Sequence, residues 1–278
     1  MPSPEGDRAW TVSPDEFAWL WRRHTGLDAY THPDPLRIRE TAAEVGDHDR
    51  LTAEIAARYG GADAGLAGAV AALADPDSRI RCFGAPGAGP ALRVVGARAG
   101  NAGVVAIQRD AAITLAALPP DAVPHHVALA LPPAAPGGAG TLRGDTARVR
   151  GTAAPASWLG DRRGRIPVDE RIRDLLRRPR RAEGHLVVET RLRADRRSPP
   201  RYLSWIDVAE GGAAGRYLVE VDEAVTLVRA VGTAQLAASL RSSTPFARHP
   251  DTPEEHPHDP DRLRPAPHRG VRPRRAGR

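Results

Sequence analysis

Apolar residues along the chain switch between helical spacing and alternation four times, and each switch marks a change of secondary structure. Phe17, Leu20 and Trp21, followed by His24, fall at helical spacing. Directly before them stands Ser13-Pro14-Asp15-Glu16. Ser13 is suited to cap a helix, Pro14 to occupy its first position, and Glu16 to reach back three residues. The pattern predicts a short helix within Thr11–Thr25. Pro33 and Pro35 then force an extended link through Ile38. Helices are predicted next over Asp47–Tyr59 and Ala64–Ala74, divided by Gly60-Gly61 and stopped by Asp75-Pro76-Asp77.

From Ser78 the period drops to two. Ser78–Phe83, Leu92–Ala97, Gly103–Arg109 and Ala112–Ala116 read as strands joined by tight or Gly-rich turns. A helix is predicted over Pro119–Leu131, where Val123, Val127 and Leu131 recur at intervals of four. After a Pro-, Gly- and Ala-rich linker over 132–164, the order repeats. A helix over Val168–Arg181 precedes strands over Gly184–Ala194, Arg201–Val208, Gly215–Val221 and Ala224–Ala230, and a helix over Thr233–Leu240 closes the run. Helix, four-stranded meander, helix thus occurs twice. The expectation is an α+β fold with a pseudo-twofold body. It forms one domain over 1–241, with pseudo-repeats at about 11–131 and 165–241.

Composition narrows the chemistry. All 40 basic residues of the 278 are arginine, so lysine-dependent chemistry is excluded: no P-loop lysine, no Schiff base, no lysine general base. A single cysteine excludes an intramolecular disulfide and a multi-thiolate metal site. The net charge of +6 is unevenly placed. Arg162–Arg201 holds 14 Arg against six acids, and Arg241–Arg278 holds nine Arg, five acids and eight Pro. Everything else sums to −6. Residues 242–278 have almost nothing to bury and read as a disordered Arg/Pro-rich tail. The N-terminus lacks the basic and apolar regions of a signal peptide, and no apolar run reaches bilayer length. A cytoplasmic protein is expected.

No catalytic constellation stands out. Gly84–Pro90 contains two prolines, lacks Gly-Lys-Ser/Thr and precedes a strand, so it reads as a hairpin loop rather than a phosphate cradle. His125 and His126 are adjacent, so a helix turns them about 100° apart, poorly placed to share a metal. Cys82 lies on a predicted strand and reads as a buried structural thiol. No enzyme activity, cofactor or metal is expected. The Arg162–Arg201 band leaves nucleic-acid binding as the alternative, although it carries no interleaved aromatics and no recognisable module.

The most specific stretches are apolar and turn patterns in a fixed order. Glu16-Phe17-Ala18-Trp19-Leu20-Trp21 is followed by Pro33-Asp34-Pro35-Leu36-Arg37-Ile38. In the second meander come Arg201–Asp207, then Gly215-Arg216-Tyr217-Leu218-Val219, then Val225–Ala230. This combination resembles the EspG family of type VII (ESX) secretion over roughly Thr11–Arg241. The resemblance implies a cytoplasmic, non-enzymatic chaperone with a central antiparallel sheet flanked by two helical bundles. It also implies a partner, the PPE-like subunit of a PE–PPE heterodimer or a related helical ESX substrate, kept soluble for export. Alternation places Tyr202 and Ser204 on one strand face and Leu203 and Trp205 on the other. Arg191 and Arg193 share a face of the preceding predicted strand. Arg191, Arg193, Tyr202 and Ser204 are therefore the expected exposed binding face. Trp205 reads either as an interface anchor or as a cross-strand core residue with Tyr217.

Overall fold

The computed structural model describes residues 8–41, 45–61, 63–87, 89–153 and 166–243. Residues 244–278 of the predicted 242–278 tail and residues 154–164 of the predicted 132–164 linker lie outside the described residues. The first half runs β1 (Arg8–Val12), α1 (Pro14–Thr25), α2 (Val45–Tyr59), α3 (Ala64–Ala74), β2 (Ser78–Pro86), β3 (Leu92–Ala99), β4 (Ala102–Arg109), β5 (Ala112–Leu118) and α4 (Val123–Ala130). The second runs β6 (Thr141–Asp145), α5 (Thr146–Arg150), α6 (Val168–Arg177), β7 (Arg180–Thr190), β8 (Arg201–Val208), β9 (Gly215–Val221), β10 (Val225–Ala230) and α7 (Thr233–Ser243).

All ten strands form one antiparallel sheet in the order β1-β5-β4-β3-β2-β7-β8-β9-β10-β6. Each half contributes five neighbouring strands: a meander of four, closed by the short strand that opened the half. The first strands of the two meanders meet at the centre, where β2 pairs with β7 from Ser78↔Thr190 to Pro86↔Ala182.

Strand alternation sends side chains to three separate cores. On one face Ile80, Cys82, Val94, Leu186, Leu203, Trp205 and Leu218 meet α4 and α7 through Val127, Leu131, Leu236 and Leu240. On the other face Val95, Ala97, Val104 and Leu115 pack under α1 and α3, with Phe17, Trp21, Val70 and Leu73. At the far end of that same face Ile206, Val208, Tyr217 and Val219 pack under α5 and α6, with Val149, Ile172 and Leu175. Gly96 lets α4 approach β3 closely, because a Cβ there would stand 2.7 Å from methyls of both Val123 and Val127.

The local signals act as expected at α1. The Ser13 hydroxyl accepts from the Glu16 N–H at 3.2 Å, the Glu16 carboxylate accepts from the Ser13 N–H at 2.7 Å, and Gly26 closes the helix at φ +69°. The Pro-bounded link after α1 is pinned to the sheet. Gln108 of β4 accepts from the Arg37 N–H at 2.7 Å and donates to the Arg37 carbonyl at 2.8 Å, while Leu36 is buried.

Three differences from the sequence reading have physical causes. The structure forms β1, β6 and α5 where no element was expected; each is five residues long and supplies too little periodicity to stand out. The helix expected to Arg181 ends at Arg177, since Pro179 forces Arg178 to an extended ψ of 150°. The following strand therefore begins at Arg180 and ends at Thr190, before Arg191 and Arg193.

Candidate functional site

The cores under α1 and α3 and under α5 and α6 share one face of the sheet, its lower face, and leave sheet between them. There β2, β7 and β8 present a strip of exposed and half-exposed side chains. Strand register orders it into rows. Arg93, Phe83, His185 and Ser204 lie side by side across β3, β2, β7 and β8. Arg81, Val187 and Tyr202 form the next row, and Arg79 with Glu189 the one beyond.

The strip is mixed in chemistry. Glu189 gathers two arginines: Arg79 Nε donates to it at 2.9 Å and Arg81 Nε stands 3.0 Å away. Arg81 also donates to Asp34 at 2.6 Å, which ties the Pro-bounded link to the centre of the sheet. His185 Nδ1 lies 3.1 Å from the Ser204 hydroxyl. The Phe83 ring is 42% exposed, and the Arg93 guanidinium sits 5.8 Å from its centroid. Partial burial lowers the Arg93 pKa from its ordinary value, and the nearby charges of Arg37 and Arg39 lower it further.

The sequence-predicted site residues separate into three groups. Tyr202, 68% exposed, and half-buried Ser204 lie on the strip. Arg191 and Arg193 do not. Arg191 is in the turn after β7 with φ +57°, and Arg193 reaches back to Asp75 at 3.1 Å and Asp77 at 3.4 Å. The strand alternation that would have aligned them with Tyr202 stops at Thr190.

Trp205 is fully buried on the opposite face, so the core alternative describes its position and the anchor alternative does not. Its indole rests over the paired Gly84 and Gly184, where a Cβ would come within 2.5 and 2.7 Å of it. The Arg216 guanidinium stands 5.2 Å from the Trp205 ring, with two hydrogen bonds of 2.7 Å to Asp207 and one to the Pro132 carbonyl. Cys82 lies in the same core, and burial pushes its thiol pKa up to about 12, with Trp205 and Arg216 opposing the shift by less.

Sequence reasoning passed over Arg79, Arg81, Phe83, Arg93, His185 and Glu189. The signal was present: along β2, Arg79, Arg81 and Phe83 alternate with buried Ile80 and Cys82. A cleft of about 520 Å³ lies instead against β1 and holds Trp10, His24, Arg58, Tyr59 and Asp63. Its main ionic groups already have structural partners. Asp63 accepts from the Trp10 indole at 2.9 Å and caps α3, while Arg58 donates to Glu16 at 2.7 Å. Among the described residues no cluster of three or more His, Cys, Asp and Glu side chains is arranged to hold a metal, and no helix is long and apolar enough to cross a membrane. The described part of the basic band is divided among α6, β7, the β7–β8 connection and β8, with Arg180, Arg193 and Arg201 paired to acids.

A model of the EspG family matches residues 13–242, from the α1 cap to the last turn of α7. The chain belongs to the EspG family. Among solved structures it is similar to the Mycobacterium tuberculosis type VII secretion system chaperone EspG5 in complex with a PE25–PPE41 dimer. The identity is 18%, with 85% of this chain and 95% of that chain covered and a TM-score of 0.57. No curated relative matches. The EspG match thus runs through both halves of the sheet, and the structural likeness shows a shared fold.

Proposed function

We propose that this chain is a non-enzymatic type VII secretion chaperone that binds the PPE-like subunit of a PE–PPE dimer, or a related helical substrate, in the cytoplasm. Covering an apolar surface of that substrate would keep it soluble for export. Membership of the EspG family carries the reading. A relative of the same fold solved on a PE–PPE dimer supports the partner class. The open strip of β2, β7 and β8 is the proposed docking face, because it combines exposed Tyr202 and Phe83 with polar groups on a preformed sheet. Residues 1–241 are taken as one domain of two pseudo-repeats, a reading that the paired order of the strands favours.

Co-expression of the full chain with PE–PPE-type pairs tests the proposal. The expected result is an equimolar ternary complex stable through gel filtration. Recovery of the chain alone in every pairing sinks it.

A further inference from the structure

The strip ends in a corner where three arginines gather and, among the described residues, pair with no carboxylate. Arg79 and Arg81 share Glu189, and Arg81 also meets Asp34. By contrast, among the described residues no carboxylate pairs with Arg37, Arg39 or Arg93. The three are held together by the backbone. Leu36 is buried and Ile38 packs against the first-half core, so Arg37 and Arg39 alternate outward on the extended link. Gln108 locks that link beside β3 through its two bonds to Arg37, and Arg93 is the cross-strand neighbour of Gln108. Arg93 in turn lies over the exposed Phe83 ring. Like charges gathered this way repel one another.

We propose that Arg37, Arg39 and Arg93, with the Phe83 ring, form a docking corner for an acidic segment of a partner protein, one with Asp or Glu carboxylates flanking an apolar side chain. Guanidinium groups take carboxylates in paired hydrogen bonds, and the ring offers the apolar contact between them. The rest of the strip favours a protein over a nucleic acid. Glu189 and Asp34 already neutralise Arg79 and Arg81, so among the described residues an extended polyanion finds no free cation along it, while Tyr202 and Val187 offer apolar contact. That the segment belongs to a secretion substrate rests on the chaperone reading above; the chemistry of the corner does not.

The test combines two probes with the full chain. The first is the PE–PPE-type dimer captured by co-expression. R37Q/R39Q/R93Q together should weaken capture about tenfold, the size expected of three partly exposed charge pairs, and raised salt should weaken the wild type in the same direction. Arg37→Gln with Arg39→Gln alone, both exposed, supplies a milder variant, and unchanged thermal melting establishes that each variant is folded. Equal capture by folded variants overturns the corner and leaves the chaperone reading standing. Failure of the wild type to capture any such dimer sinks the chaperone reading instead. The corner is then decided by the second probe, a short synthetic peptide alternating glutamate and leucine, read against its glutamine counterpart and a single-stranded oligonucleotide. Preference for the glutamate peptide that disappears in the variants supports the corner. Equal binding of both peptides, or tighter Arg-dependent binding of the oligonucleotide, overturns it.

Discussion

Asp207 and Arg216 show how much a single pair can hold in this fold. Both side chains are essentially removed from water, joined by two hydrogen bonds of 2.7 Å. Arg216 also faces the Trp205 ring and donates to the Pro132 carbonyl, so it ties β9 to the segment leaving α4. Breaking such a pair costs more than the pair contributes, because the remaining charge stays buried. Asp207→Asn should therefore destabilise the protein by about 3 kcal/mol in urea unfolding. Replacing both partners, Asp207→Leu with Arg216→Met, should recover a large part of that loss. A double variant as unstable as the single one contradicts this account. Cys82, in the same core, has the opposite kind of cost. Its thiol is pushed up from 9.0 to about 12 by burial, so the folded chain holds a proton that the unfolded chain releases above 9.0. Stability from this group is complete below 9.0 and declines as pH rises toward about 12, at up to ~1.4 kcal/mol per pH unit. Cys82→Ala should remove that part of the alkaline slope, whatever it costs in packing. An identical slope in both proteins rejects the buried-thiol explanation.

The elements differ in how far local sequence defines them. Cap, proline and apolar face all agree at α1, and its boundary follows from Ser13 to Gly26. Ser13→Ala removes the hydroxyl that accepts from the Glu16 N–H and should lower stability by about 1 kcal/mol, read from the urea midpoint. Because Glu16 also holds Arg58 of α2 at 2.7 Å, Glu16→Ala should cost at least as much. The eight strands of the meanders were legible for two reasons: β2, β5, β7 and β10 alternate buried with more exposed positions, while β3, β4, β8 and β9 are mostly buried apolar runs bounded by turn residues. β1 and β6 were not, since five residues of Arg-Ala-Trp-Thr-Val or Thr-Leu-Arg-Gly-Asp become strands only by pairing with β5 and β10. Pro179 carried the end of α6 in plain sight, as the extended Arg178 shows.

At the scale of the whole molecule, what the sequence could not state is which part of a sheet face stays open. Alternation put Tyr202 and Ser204 opposite Leu203 and Trp205, and that division holds. It could not say that the helices of the two halves cover only the ends of the lower face, because that depends on how α1, α3, α5 and α6 pack at a distance along the chain. Nor could it place Arg191 and Arg193, since their side of the sheet depended on where β7 stops. The consequence can be tested on neighbouring residues of β8. Tyr202 stands in the open strip and touches little, so Tyr202→Ala should change stability by less than about 1 kcal/mol. As an exposed aromatic at the proposed docking face, it should nevertheless weaken capture of a PE–PPE-type dimer by about tenfold. Trp205 fills the space above Gly84 and Gly184 and touches no solvent, so Trp205→Ala should cost about 3–5 kcal/mol and reduce capture only through loss of folded protein. Normalising capture to the folded fraction separates the two effects. If the folded Trp205 variant loses capture while the Tyr202 variant keeps it, partners dock on the α4–α7 side, and the open strip is not the binding face.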